Sequence, residues 1–227
     1  MARHQTHGSA SAAAPRWQRR KEDRPSEILA AALETFVEHG YAATKLEDVA
    51  RRAGITKGTL YIYFKSKEAL FQAVVRENVV PILVSAEQIV GDDEAAPDRL
   101  LRRLVANWWE GMSSTHLAGL PKLVMSEASN FPEIAQFWFD EVVVRGRQVF
   151  AQVLRRGIER GVFRPVNVDL AVRQLLAPVL MAAIWEHSFR PCDRGGTPVE
   201  PYLAASMDIF LRGIAAPAPG GAEAFDA

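Results

Sequence analysis

Cysteine is almost missing from this chain. Cys192 is the only one in 227 residues, so no internal disulfide can form and no cysteine-built metal site can be assembled. A reducing cytoplasm fits that usage. An excess of one charge is missing too: Lys+Arg and Asp+Glu each number 27, which argues against a uniformly basic protein but leaves room for a local basic face. Long apolar runs are absent. The longest, Leu175 to Trp185, has Pro178 inside it and falls short of the ~18 residues a membrane span needs. The N-terminus lacks the apolar centre of a secretory signal. Strand-like alternation is nearly absent. There is no glycine-rich phosphate loop, no His-x-x-x-His pair and no Ser/His/Asp arrangement, so no enzyme activity, cofactor or metal is expected.

What is present is a globular composition, 48% hydrophobic and 24% charged. The charge is unevenly placed. Residues 1–80 hold 13 Lys/Arg against 9 Asp/Glu, and the remainder holds 14 against 18. A basic first part and an acidic second part suggest two tasks.

Residues 1–24 read as a flexible basic arm carrying Arg16, Arg19 and Arg20. From Pro25, Ile28, Leu29, Ala32, Leu33, Phe36 and Val37 recur at helical spacing up to His39-Gly40. Thr44 to Glu47 has the spacing of a capping box and opens a second helix that Gly54 stops. Thr56 is the N-cap candidate of a very short third helix, about 56–62. Ser66 opens a fourth, 66–90, with a bend expected at Pro81. Further helices are expected near 98–113, 117–129, 132–160, 168–189 and 198–214. The fold class is therefore all-α. The expected organisation is an arm at 1–24, a trihelical unit at 25–75, a larger helical domain at 76–215 and a disordered tail at 216–227.

The stretch 56–70, "TKGTLYIYFKSKEAL", sets three aromatics within four positions among three lysines. A buried core disfavours the lysines and a solvated face disfavours the tyrosines. Two short helices joined by a glycine turn make a helix-turn-helix, whose second helix enters the DNA major groove N-terminus first. Thr56, Lys57, Gly58 and Thr59 then face base edges, and Gly58 permits close approach of the backbone. Tyr61, Ile62, Tyr63, Lys65 and Lys67 flank the phosphates, with Thr44 and Lys45 at the start of the supporting helix. Taken alone, the same geometry also fits a trihelical bundle that binds no nucleic acid.

The segment Ile28 to Val75 resembles the N-terminal domain of the tetracycline-repressor-like (TetR) family of bacterial transcription regulators. Gly40-Tyr41, Thr44, Val49-Ala50, Ala53-Gly54, Lys57-Gly58, Leu60-Tyr61, Tyr63-Phe64 and Lys67-Glu68, with Leu70, stand in that family's order and spacing. Tyr63 sits where many members carry histidine. The resemblance implies an all-helical protein of about nine helices and a homodimer joined through its last two long helices. It also implies a small-molecule pocket in the C-terminal domain, and release from a near-palindromic double-stranded operator when an effector binds.

Large soft side chains crowd the second part. Trp108, Trp109, Met112, Met125, Phe137, Trp138, Met181 and Trp185 are the candidate lining of an apolar pocket, although for any single one of them plain core is the better reading. Glu127, Glu186, His116 and His187 are polar residues among these apolar runs. Leu176, Leu180 and Ile184 form one stripe, and Leu203, Met207, Phe210 and Leu211 another. These stripes could pack within one subunit; the resemblance favours pairing across a two-fold axis. The function expected is a ligand-responsive DNA-binding repressor released by a small apolar or amphipathic molecule. The alternatives are a sequence-tolerant DNA-coating protein without a ligand, and a redox sensor through Cys192.

Overall fold

The computed structural model describes residues 16–91, 95–113 and 116–217, with backbone alone at 16–23. The chain is all-helical. In order, α1 is Arg16–Ala43, α2 Leu46–Arg52, α3 Lys57–Tyr63, α4 Lys67–Asn78, α5 Val80–Val90, α6 Pro97–Ser113, α7 Gly119–Glu127, α8 Pro132–Trp138, α9 Arg145–Glu159, α10 Val168–Glu186 and α11 Val199–Ile214. A 3-10 turn, His116–Ala118, precedes α7, and a π-helical segment, Phe139–Val144, joins α8 to α9. Counting α4–α5 and α8–α9 as single interrupted rods gives nine helices among the described residues, as expected.

The first helix differs from the expectation. It already runs from Arg16, so residues 16–24 are helical rather than part of a flexible arm, and Pro25 lies inside the helix. Residues 1–15, and the tail from 218 onward, lie outside the described residues. The helix breaks at Gly40, where φ is 82° and ψ 166°, a conformation a side chain would strain. The α2–α3 turn follows the sequence closely. Gly54 takes φ 65°, its N–H donates to the Arg51 carbonyl, and the Ile55 N–H reaches back to the Ala50 carbonyl at 2.9 Å. That pair of bonds is a Schellman stop, which leaves only Ile55 before Thr56, the N-cap of α3.

The fourth rod is interrupted at Val79, two residues before Pro81. Val79 is both the last cap of α4 and the first of α5, and Pro81 occupies the opening turn of α5, where its missing N–H has no partner to lose. By length and composition alone, Lys67–Val90 and Val168–Glu186 could each cross a membrane, with mean hydropathies of 1.3 and 1.5. The count of unbroken apolar residues had not shown this. Both lay buried residues into the protein's own cores: Leu70, Phe71, Val74, Val75 and Leu83 in the first, and Val172, Leu175, Val179 and Ala183 in the second.

Two hydrophobic cores form, and they do not divide at residue 75. One gathers α1–α4 around Ile28, Phe36, Leu60, Phe71 and Val74, and it also takes in Met112, Leu117, Leu120, Leu123, Ile134, Trp138 and Val142. The other joins α5, α6, α9, α10 and α11 through Leu100, Leu104, Phe150, Leu154, Val172 and Leu203. Helices α7 and α8 thus pack with the helix-turn-helix, although they lie far along the chain from it. At the end of α11, Ala215 pairs with Phe163 as an isolated antiparallel bridge and ties the last helix to the end of α9.

Candidate nucleic-acid interface and effector cavity

The short helix α3 is offered outward. Leu60 is fully buried and anchors it, while Thr56, Lys57, Gly58, Tyr61 and Ile62 are exposed, Ile62 at 72%. Thr56 caps the helix, its hydroxyl accepting from the Thr59 N–H at 3.2 Å and lying 2.9 Å from the Thr59 hydroxyl. A Cβ built on Gly58 would come no nearer than 3.8 Å to anything but its neighbours, so that backbone stays open to an approaching surface. Phe64 and Tyr63 pack against the first core, as their placement at the end of α3 requires.

The charges around α3 are partly engaged. The Lys57 ammonium pairs with Glu47 of α2; that bond holds the Glu47 carboxyl below the usual carboxylate range and raises the Lys57 ammonium above its ordinary value. Lys57 also lies 5.8 Å from the centroid of the Tyr61 ring. Lys65 donates to the Tyr61 carbonyl at 3.2 Å and is exposed. Lys45, the N-cap of α2, is exposed and makes no side-chain cap bond.

Two expectations at this site are corrected. Thr44 does not cap α2. It is buried, and its hydroxyl donates to the Gly40 carbonyl at 2.6 Å, while Glu47 turns to Lys57 instead of closing a capping box. The carbonyls left unpaired by the break at Gly40 attract that hydroxyl more strongly than a free helix N-terminus does. Lys67 is not a free ammonium awaiting phosphate. Its Nζ donates to the carbonyls of Tyr41, Ala42 and Thr44 at 2.7, 3.1 and 3.2 Å, which accounts for all three of its protons. Partial burial lowers its pKa.

The candidate pocket residues are not brought together. Trp108, Trp138, Leu176 and Leu180 line one cavity of about 270 Å³, with Pro121, Val142, Val143, Gly146, Phe150, Ala177 and Ala183. Leu176 and Leu180 thus meet the cavity as well as the expected dimer stripe. Met112 is buried in the first core, and Phe137 packs against it beneath the Arg76 guanidinium, 5.0 Å away. Trp109 is buried in the second core with its indole N–H unpartnered among the described residues, and forms the floor of a cleft of about 520 Å³ between α6 and α11. Met125 is 58% exposed and does not line the cavity of Trp108 and Trp138. Met181 and Trp185 line a different cleft near the α10–α11 loop, where the Trp185 indole donates to Asp193 at 3.0 Å. Single-residue hydrophobicity carries no information about which core a side chain joins, and that is why the set scatters.

The dimer stripes divide in the same way. Leu203, Met207 and Leu211 are buried within their own subunit, and Phe210 and Leu176 pack against that same core. Leu180 remains exposed, as do Met181, Trp185, Tyr202 and Ile209 beside it on α10 and α11. Cys192 is exposed on the loop between these helices.

Sequence reasoning missed the arginines. Arg147 and Arg173 line the apolar cavity. They also line an adjoining cleft of about 310 Å³ with Arg155, Gln148 and Asp169. Neither Arg147 nor Arg173 forms an ion pair among the described residues; Arg147 lies over the Phe139 ring at 5.9 Å. Arg147 and Arg155 stand two helical turns apart, on one face, within a helix otherwise rich in core residues. That spacing was the available signal. The π-helical segment supplies Val142 and Val143 to the same cavity, in keeping with the frequent placement of π-bulges at functional sites.

The N-terminal model of the bacterial regulatory proteins of the tetR family matches residues 28–74, and the C-terminal domain model of AefR-like transcriptional repressors matches residues 99–213. The HTH-type transcriptional repressor KstR2 of Rhodococcus jostii (strain RHA1) is 30% identical over 201 residues, spanning 87% of this chain and 94% of that protein. The structure of the ketosteroid transcriptional regulator KstR2 of Mycobacterium tuberculosis is 28% identical and superposes with a TM-score of 0.67, covering 85% of this chain and 95% of that one. The transcriptional regulator FadR of Bacillus subtilis, solved in complex with stearoyl-CoA, shares the fold at a TM-score of 0.66 and 19% identity, covering 83% of this chain and 98% of that one. With its outward helix-turn-helix and its matched C-terminal domain, the chain belongs to the TetR family of bacterial regulatory proteins and is a helix-turn-helix transcriptional repressor, not an enzyme.

Proposed function

We propose that this repressor binds a near-palindromic operator as a homodimer and is released by an amphipathic anion. The observation that carries the ligand class is that Arg147 and Arg173 line both an apolar cavity and an adjoining cleft. The cavity of Trp108, Trp138, Val142 and Phe150 suits a hydrocarbon body. Arg147 and Arg173 on its lining, with Arg155 in the adjoining cleft, suit a carboxylate or phosphate head, which guanidinium recognises by paired, charge-assisted hydrogen bonds. The ketosteroid and stearoyl-CoA named for KstR2 and FadR are both largely apolar molecules, and the second carries phosphates. The operator of a bacterial repressor lies in the cytoplasm, and we place the protein there.

On DNA, Thr56, Lys57, Gly58 and Thr59 face base edges, and Lys45, Tyr61, Ile62, Tyr63 and Lys65 flank them. The exposed apolar face of Leu180, Met181, Trp185, Tyr202 and Ile209 is the proposed two-fold contact. It would set the two recognition helices about 34–36 Å apart, one turn of DNA. Titration with stearoyl-CoA tests the ligand class. Native protein on its selected operator should dissociate, and Arg147→Ala with Arg173→Ala should need at least ~10-fold more ligand, from loss of about 1.5–3 kcal/mol of charge-assisted bonding. Equal sensitivity of native and doubly substituted protein would reject the anionic head.

A further inference from the structure

We infer that the α7–α8 corner carries effector occupancy to the DNA-binding unit, with Glu127 and Phe131 as the coupling residues. The inference rests on the cavity reading above. The bent rod α4–α5 is the obvious lever, since it leaves the helix-turn-helix and enters the second domain. Yet among the described residues no side chain of α4 or α5 lines the cavity; its walls come from α6 to α10 and the π-helical segment. Two of those walls, Trp138 and Val142, are buried members of the first core, the one built around the helix-turn-helix. The cavity therefore touches the DNA-binding unit directly, through the end of α8.

Helix α8 is one rigid step from that wall to the hinge of the DNA-binding unit. Phe131 is the residue immediately before α8, and its N–H is held at 2.9 Å by the Glu127 carbonyl at the end of α7. The Phe131 ring meets the Tyr41 ring edge-on, with centroids 4.9 Å apart and planes at 72°. The Glu127 carboxylate accepts from the Ala42 N–H at 3.0 Å and would stand 3.2 Å from a Cβ built on Gly40. Both contacts fall on the break between α1 and α2. The Lys67 ammonium closes the knot, lying 5.6 Å from the Phe131 ring centroid and bonded to the carbonyls of Tyr41, Ala42 and Thr44. From Thr44 the chain enters α2, which holds α3 through the Gly54 turn and the Glu47–Lys57 pair.

Close packing transmits the push. A ligand that pushes Trp138 and Val142 cannot be absorbed by a dense core, so α8 shifts as a body. The far end of α8 is Phe131, and a shift there loads the two contacts that fix the α1–α2 angle. Coupling is the ratio of operator affinities with and without an occupant in the cavity, compared between native and substituted chains.

Operator affinity is measured by fluorescence anisotropy on a duplex selected from random sequence. Val143→Trp serves as a built-in occupant of the cavity and stearoyl-CoA as an added one. Either should weaken operator binding ~10-fold or more in the otherwise native chain, and less than ~3-fold in Glu127→Ala or Phe131→Leu, within the usual range of allosteric coupling. Glu127→Gln keeps the acceptor for Ala42 and should restore the native ratio. Pro81→Ala should leave the ratio unchanged. An equal loss in native, Glu127→Ala and Phe131→Leu proteins would overturn the relay while leaving the cavity reading intact. If neither Val143→Trp nor stearoyl-CoA alters native affinity, the cavity reading fails and the relay fails with it. Should Val143→Trp lower the melting temperature too far for binding work, the stearoyl-CoA arm gives the same comparison.

Discussion

The ammonium of Lys67 stands 4.5 Å from the centroid of the Tyr41 ring and donates to that residue's carbonyl at 2.7 Å. With the Ala42 and Thr44 carbonyls as its other partners, it caps the broken end of α1. Lys67→Met should therefore destabilise the fold by about 1–3 kcal/mol, the cost of leaving partly buried carbonyls unpaired. It should leave the salt dependence of binding to a random duplex unchanged, because no phosphate charge is lost. Denaturant melts and a salt titration check the two halves. A flattened slope with unchanged stability would return Lys67 to the phosphate backbone.

The Glu47–Lys57 pair restrains the first cation of the recognition helix. Glu47→Gln should free Lys57, raise affinity for all duplexes, and steepen the salt slope by about one charge. Thr59→Ala should instead cost about 1–3 kcal/mol at the operator and little on random DNA, if its hydroxyl reads a base. Parallel titrations on the two duplexes separate these effects.

Tyr41 is 3% exposed, and burial, with smaller contributions from Glu133 and Glu68, pushes its phenol up to about 12. The folded state favours the neutral phenol, so this contribution is intact below the ordinary value near 10 and lost as pH rises through about 12. Stability should fall across that window. A phenolate absorbance step near its upper end should vanish in Tyr41→Phe, along with that part of the pH dependence.

The two groups of apolar residues on α10 and α11 should respond differently to charge. Leu180→Glu and Ile209→Glu alter exposed positions and should yield a folded monomer by sedimentation, with weakened operator binding. Leu203→Glu places a carboxylate in the second core and should unfold the domain rather than dissociate it. A folded dimer for both exposed variants would move the two-fold contact elsewhere.

The helix-turn-helix was legible because its signals are short-range. Thr56 and Ser66 cap the helices they precede, Gly54 takes the positive φ its turn demands, and Pro81 opens the second half of the interrupted fourth rod. The capping role given to Thr44 failed because acceptor and donor groups both lie within one turn of it, and the carbonyl left open at Gly40 wins its hydroxyl over the N-terminus of α2. The pocket was legible only as a class of residue. Trp108 and Trp138 reach the cavity while Met112 and Trp109 disappear into separate cores and Met125 faces outward, a sorting fixed by helix packing rather than by side-chain type.

By itself the sequence determined most of the helices, the stops at Gly40 and Gly54 and the outward presentation of residues 56–58, because each of these depends on neighbours within about one helical turn. Only the tertiary structure decided that α7 and α8 share a core with the DNA-binding unit, that Lys67 closes on carbonyls 23 to 26 residues away, and that three arginines gather beside one apolar cavity. Those outcomes depend on which distant surfaces meet, and burial of apolar area is non-directional: it drives the helices together without specifying, residue by residue, the partner each will find.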